Sequence, residues 1–341
     1  DQPDLGFDVG VFTSATPLRV EANGILEIAQ KFNVKHSTPI TVAGGTLAIT
    51  ANSVEDSSNY INNLRLDGGT VTGNGIRVGY LLSDAVFTVT GNATSTISNP
   101  IVLVNNVDQT GTRTLTLDVA DGSAAYDLVM SGEFRDYDNL TGTDVIKTGA
   151  GVLRLDGSLN YTGDTIVNGG VLVLTKSGSL DPAGHPGQFG ASGNTVTVNN
   201  GATLRLTGWW TMGDGGQHTL IADGGTIDFA TSANYQNTIT LIGGAITGNS
   251  WRNGHHAGDA TITVEQSDVS STISGTLTFV KNRSGGLGKT TFDVADGAAE
   301  HDLVVSARIV DLSGHEGRSL AKDGPGAMSL SGANTFAGGV N

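Results

Sequence analysis

The segment DVADGSAAYDLVMS beginning at Asp118 recurs as DVADGAAEHDLVVS beginning at Asp293. The same offset carries Asn59-Tyr60 onto Asn234-Tyr235 and Arg77 onto Arg252. It also carries Gly68-Gly69-Thr70-Val71-Thr72-Gly73-Asn74 onto Gly243-Gly244-Ala245-Ile246-Thr247-Gly248-Asn249. Near the start the offset drifts slightly, so that VEANGILEI from Val20 matches VNNGATLRL from Val198. Self-similarity over this distance makes the chain two tandem copies of one unit, 1–175 and 176–341. The second copy stops just short of a counterpart for VNGGVLVLT, which begins at Val167, so a longer protein is expected.

Each copy contains a shorter period. Runs rich in Thr, Val, Ile and Leu flank Gly-Gly, Asn-Gly or Asp-Gly steps, as in TVAGGTLAIT, LRLDGGTVTG and TLIGGAITG. No stretch sustains a 3.6-residue apolar period, which predicts an all-β chain with helices nearly absent. Gly-containing steps between alternating runs are a hairpin signal, yet a solenoid uses the same residues at its corners, where φ turns positive. Spacing separates the two. Gly pairs begin at 44 and 68 in the first copy and at 224 and 243 in the second, well beyond the roughly 8–12 residues of sandwich strands. The expected fold is a right-handed parallel β-helix (β-solenoid) of two copies, with rungs of about 20–24 residues. About 15 such rungs spaced by about 4.8 Å would give a rod about 70 Å long.

Composition narrows the function classes. With 18 basic against 33 acidic side chains, the net charge of −15 removes the basic footprint of a nucleic-acid binder and disfavours anionic lipid. No run approaches a membrane span, and Asp1-Gln2-Pro3-Asp4 lacks the features of a signal peptide. The chain has no cysteine, which excludes disulfides and thiolate metal sites.

The run VIKTGAGVLRLDGSLNYTGDTIVNGGVLVLT, residues 145–175, resembles the passenger-associated repeat of bacterial autotransporters. The match rests on Lys147, Gly149, Gly151, Leu153, Leu155, Gly157, Tyr161, Gly163, Thr165, Val167, Gly170 and Leu172. Asn160 stands one place from the family's asparagine. The second copy matches through Lys322, Gly324, Gly326, Leu330, Gly332, Asn334, Phe336 and Gly338, with Met328 in place of a leucine and Pro325 inside the Gly-x-Gly. The resemblance implies an exported β-helix on a bacterial surface, often an adhesin or stalk, and brings no catalytic residues with it.

Several groups invite a chemical role. Asp118, Asp121 and Asp127, repeated as Asp293, Asp296 and Asp302, supply the oxygen ligands calcium needs. Their spacing is neither an EF-hand nor a nonapeptide calcium repeat, and the alternative is a polar turn that binds its own backbone N–H groups. Trp209, Trp210 and Trp251 can form a platform for sugar rings or another partner. Trp210 and Trp251 nevertheless stand where the first copy has Phe32 and Ile76, which reads as packing. His218, His255 and His256 with Asp214 do not make a metal site, because adjacent strand residues point to opposite faces. GGLGKT at 285–290 lacks the first glycine of a phosphate loop, since Arg283 stands there.

The sequence therefore points to a non-enzymatic structural or adhesive rod of a repetitive bacterial cell-surface or extracellular fibre protein, associating with itself and using no cofactor beyond the calcium considered above. A glycan- or host-binding adhesin is the alternative, and its departures from the repeat lie at 176–195, 209–217 and 251–258. A polysaccharide lyase or hydrolase is the third reading, disfavoured because Arg77/Arg252 and Lys147/Lys322 obey the repeat whereas a single catalytic centre would break it.

Overall fold

The computed structural model describes residues 17–30, 34, 37–51, 59–79, 84–104, 113–138, 141–176, 188, 193–212, 218–231, 234–249, 251–255, 258–281 and 286–341. Asp214, His256 and most of 177–192 lie outside the described residues. The chain divides into two compact units, Asp1–Thr165 and Ile166–Asn341. Each is a right-handed parallel β-helix, and no helix occurs among the described residues.

One rung shows how the sequence builds the fold. Asn63–Asp67 lies in a first sheet, Thr70–Gly73 in a second and Ile76–Val78 in a third, after which Ala85–Thr90 starts the next rung. The corner between the first two strands is Gly68-Gly69. Gly68 sits at φ +63°, a conformation L side chains resist, and a Cβ on Gly69 would overlap the carbonyl of Val42 one rung away. Strands of neighbouring rungs pair in parallel, and the Gly-Gly steps are solenoid corners rather than hairpins.

In-register stacking makes the core a set of columns. In unit 1 the first sheet aligns Leu18, Ile40, Leu64, Phe87 and Leu117. Its second sheet aligns Leu26, Leu47, Val71, Ile97, Met130 and Leu155. In unit 2 the matching columns run Val196, Leu220, Ile239, Ile262, Phe292 and Leu172, Leu204, Ile227, Ile246, Ile273, Val305. Burying these side chains on every rung is the main stabilising term. Polar ladders run beside them. The hydroxyl of Thr96 donates to that of Thr70 at 3.1 Å, and Ser98 donates to Thr72 at 3.1 Å.

Rung length varies more than the sequence spacing suggests. Asp118 and Thr148, which face each other on adjacent rungs of unit 1, are 30 residues apart in the chain. In unit 2 the facing pair Asp228 and Thr247 is separated by 19 residues. The long rungs arise because Ala120–Asp127 and its counterpart replace a Gly-Gly corner with a wider excursion between strands. The short rung accounts for part of the drifting offset. The step from Ile40 to Leu64 is longer than its counterpart from Leu220 to Ile239.

Candidate functional site

The resemblance motif and the acidic constellation fall on the same rungs. Asp127 ends the long excursion and is buried. One of its carboxylate oxygens accepts the Gly122 N–H at 2.9 Å and the other accepts the Val152 N–H at 2.7 Å. Asp302 repeats this on Gly297 at 2.7 Å and Ala327 at 2.8 Å, and those two N–H groups, Ala327 first, hold its carboxyl below the usual carboxylate range. Asp118 accepts from the Thr148 hydroxyl at 3.0 Å. The constellation thus ties an excursion to the following rung. Among the described residues no three His, Cys, Asp or Glu side chains gather as a metal-holding group. Melting curves in EDTA and in millimolar calcium are accordingly expected to superimpose; a calcium-dependent rise in Tm would reassign these carboxylates.

The motif lysine occupies an unusual position. Lys147 continues the column after Leu117, and Lys322 continues the column after Phe292. The Lys147 ammonium donates to the carbonyls of Thr148 and Gly149, each at 2.8 Å, and Lys322 repeats this on Asp323 at 3.0 Å and Gly324 at 2.7 Å. Burial brings the Lys147 pKa from its ordinary 10.5 down to about 8. Between these values the unfolded chain binds the proton and the folded chain has released it. The stability contribution of Lys147 should therefore rise from pH 8 to pH 10.5. Thermal melts should show the parent chain gaining in Tm relative to Lys147→Met as pH rises across that window, and a parallel pH dependence of the two would refute the depressed pKa.

The motif glycines mark close approaches between rungs. A Cβ at Gly157 would overlap the carbonyl oxygen of Gly132, and at Gly163 that of Thr143. The counterparts Gly332 and Gly338 face Ala307 and Arg318 in the same way. The motif tyrosine is fully buried. Its hydroxyl lies 2.5 Å from that of Thr165, and burial pushes the Tyr161 phenol well above its ordinary pKa. In the second copy Phe336 and Val340 replace both members of the pair, so a polar pair gives way to an apolar one without stranding a hydroxyl. Tyr161→Phe alone should cost about 1–2 kcal/mol by orphaning Thr165, and adding Thr165→Val should recover most of it, as a double-mutant cycle in urea would measure.

The three tryptophans separate. Trp251 is 2% exposed, stacks on Phe229 at 5.6 Å and donates its indole N–H to the Gln236 carbonyl. It occupies the interior column position of Ile76 and is removed from the expected platform. Trp209 is 58% exposed, and Trp210 packs edge-on against Tyr235 at 5.0 Å. His255 lies 4.5 Å from Tyr235 and 6.3 Å from Trp210, while His218 is buried. Sequence reasoning singled out the repeated arginines without their rings. Arg77 lies over Tyr60 and Tyr137, and Arg252 over Tyr235. The usable signal was that Tyr60/Tyr235 and Arg77/Arg252 share the repeat offset, with tyrosine and arginine 17 residues apart in each copy. Arg318 gave no such signal, because the first copy has Thr143 there. It is fully buried, donating to the Thr290 hydroxyl at 2.8 Å and the Lys289 carbonyl at 2.7 Å, and desolvation lowers its pKa to about 10.

A parallel β-helix whose repeated side chains and glycines serve stacking is the class of protein these features define. The family model of the passenger-associated-transport-repeat matches residues 145–174 and 320–341, and in those two stretches the chain is similar to autotransporter passengers. A curated relative, "Adhesin BmaC autotransporter" of Brucella suis biovar 1 (strain 1330), is 29% identical over 107 residues. That alignment covers 31% of this chain and 3% of the relative, so the chain spans a small fraction of the protein it matches. No solved structure matches the chain.

Proposed function

We propose that this chain is a non-enzymatic β-helical segment of a bacterial surface or extracellular fibre protein, serving as an adhesive and spacing rod that associates with its own kind. The observation that carries the reading is the repetition of stacking chemistry at one offset. Asp84 and Asp259 accept backbone N–H groups from Thr114 and Lys289, Asp127 and Asp302 do so as described, and Asp136 and Asp311 accept from Thr162 and Ala337. Carboxylates committed to holding backbone in both copies serve architecture, which favours a mechanical role over a lyase or hydrolase. The adhesin name of the Brucella relative supports the surface placement and the adhesive part of the reading.

Electron microscopy of cells bearing the native protein tests it. Surface filaments or an ordered layer are expected. A protein recovered only from the cytosol would overturn the reading, and dispersed, unassociated rods on the surface would leave adhesion and remove self-association.

A further inference from the structure

We propose that Trp209, Trp210, Tyr235, Arg252 and His255 of the second unit form a binding site for a carboxylated saccharide. The inference rests on the adhesive part of the reading above and gives it a ligand class.

The argument starts from a difference between the copies. In the first unit the Arg77 guanidinium has one ring at 5.9 Å, Tyr60, and a second at 4.1 Å, Tyr137. In the second unit the position of Tyr137 is Leu312, which packs on the small cluster of Tyr235 and Val280 together with Trp210. Arg252 keeps Tyr235 alone, at 5.3 Å from the ring centre and 2.6 Å from its hydroxyl. It is only half-buried and makes no ion pair among the described residues, although its Nε is itself shielded from solvent. In a chain of net charge −15, an arginine that none of the described carboxylates neutralises is a place where an incoming carboxylate is welcome.

The neighbours decide what carries that carboxylate. Trp210 and His255, both partly exposed, pack on the buried ring of Tyr235 with Arg252 at one side, and Trp209 follows as the exposed neighbour of Trp210 in the chain. Trp210 holds φ +58°, a left-handed backbone that a bulky residue adopts at a cost of about 1–2 kcal/mol. Indole faces bury the C–H face of a pyranose, the imidazole exchanges hydrogen bonds with hydroxyls, and the Nη hydrogens that the Tyr235 hydroxyl leaves over on the guanidinium take a carboxylate. A neutral sugar uses only the rings, and an acidic peptide uses only the arginine.

Isothermal titration calorimetry of the 341-residue chain with tetragalacturonate tests the site, with maltotetraose and tetraglutamate as comparisons. Saturable binding of tetragalacturonate is expected, at least about tenfold tighter than either comparison, and weakened at least about tenfold by Trp209→Ala and by Arg252→Gln. Trp209 is exposed, so its variant should keep the parent melting curve and remain informative even where Arg252→Gln fails to fold. Absence of saturable binding, equal affinity for maltotetraose or tetraglutamate, or indifference to Trp209→Ala overturns the proposal. These outcomes concern soluble binding alone, whereas filaments or layers on cells decide the mechanical reading, so either can fail without the other.

Discussion

Alanine at Gly157 is expected to abolish the cooperative melt of the first unit or lower its stability by more than about 4 kcal/mol. The new methyl overlaps the carbonyl oxygen of Gly132 on the preceding rung. That oxygen belongs to backbone, so it cannot rotate aside as a side chain would. Relief requires the rungs to separate, and separation breaks the pairing of Leu128–Met130 with Val152–Leu155 and uncovers the column through Met130 and Leu155. Gly286→Ala is the matched control. A Cβ there meets nothing within 4 Å, and the change should be neutral or slightly stabilising. Differential scanning calorimetry of both variants checks the contrast, and equal Tm values would refute the account of the motif glycines.

Removing the Asp127 carboxylate should have an effect of similar size by a different route. In Asp127→Ala two N–H groups, those of Gly122 and Val152, lose a charged acceptor. Hydrogen bonds to a charged group contribute about 1.5–3 kcal/mol each, so the expected loss is about 4 kcal/mol, or about 10 °C in Tm for a unit of this size. Asp127→Asn is expected to fall between, because its one oxygen serves one donor while its NH2 opposes the other. Hydrogen exchange should locate the damage. Faster exchange at Gly122 and Val152, with the column of Ile40 and Leu64 unchanged, would mark a local opening of the excursion. An unchanged melt in Asp127→Ala would return the residue to the role of a surface turn.

Much of the fold was legible in the sequence because a solenoid writes its geometry locally. The Gly pairs at 44 and 68 and at 224 and 243 marked successive corners, and the columns set Ile40 beside Leu64 and Leu220 beside Ile239 at those same spacings. The long rungs were less readable, since the stretch from Ala120 to Asp127 replaces the glycine corner with an excursion that has no periodic mark. Its duplicated aspartates stood out as candidate ligands for calcium. Their work in tying rungs together depends on which N–H groups the next rung presents, and that information lies 25 residues away, at Val152. Trp251 was readable as interior through its alignment with Ile76, while Arg318 was not, because its partners are carbonyls and a hydroxyl that no local pattern announces.

The shared offset over most of the two copies has a consequence at the level of the gene. Column neighbours in the sheets described above are separated by a small fraction of one unit. Unequal crossing-over between the two copies at equivalent codons would therefore exchange one rung's neighbour for a rung of the same kind, leaving Asp127 or Asp302 facing an equivalent N–H. Within each unit, such an exchange keeps every side chain of a column beside one of the same kind.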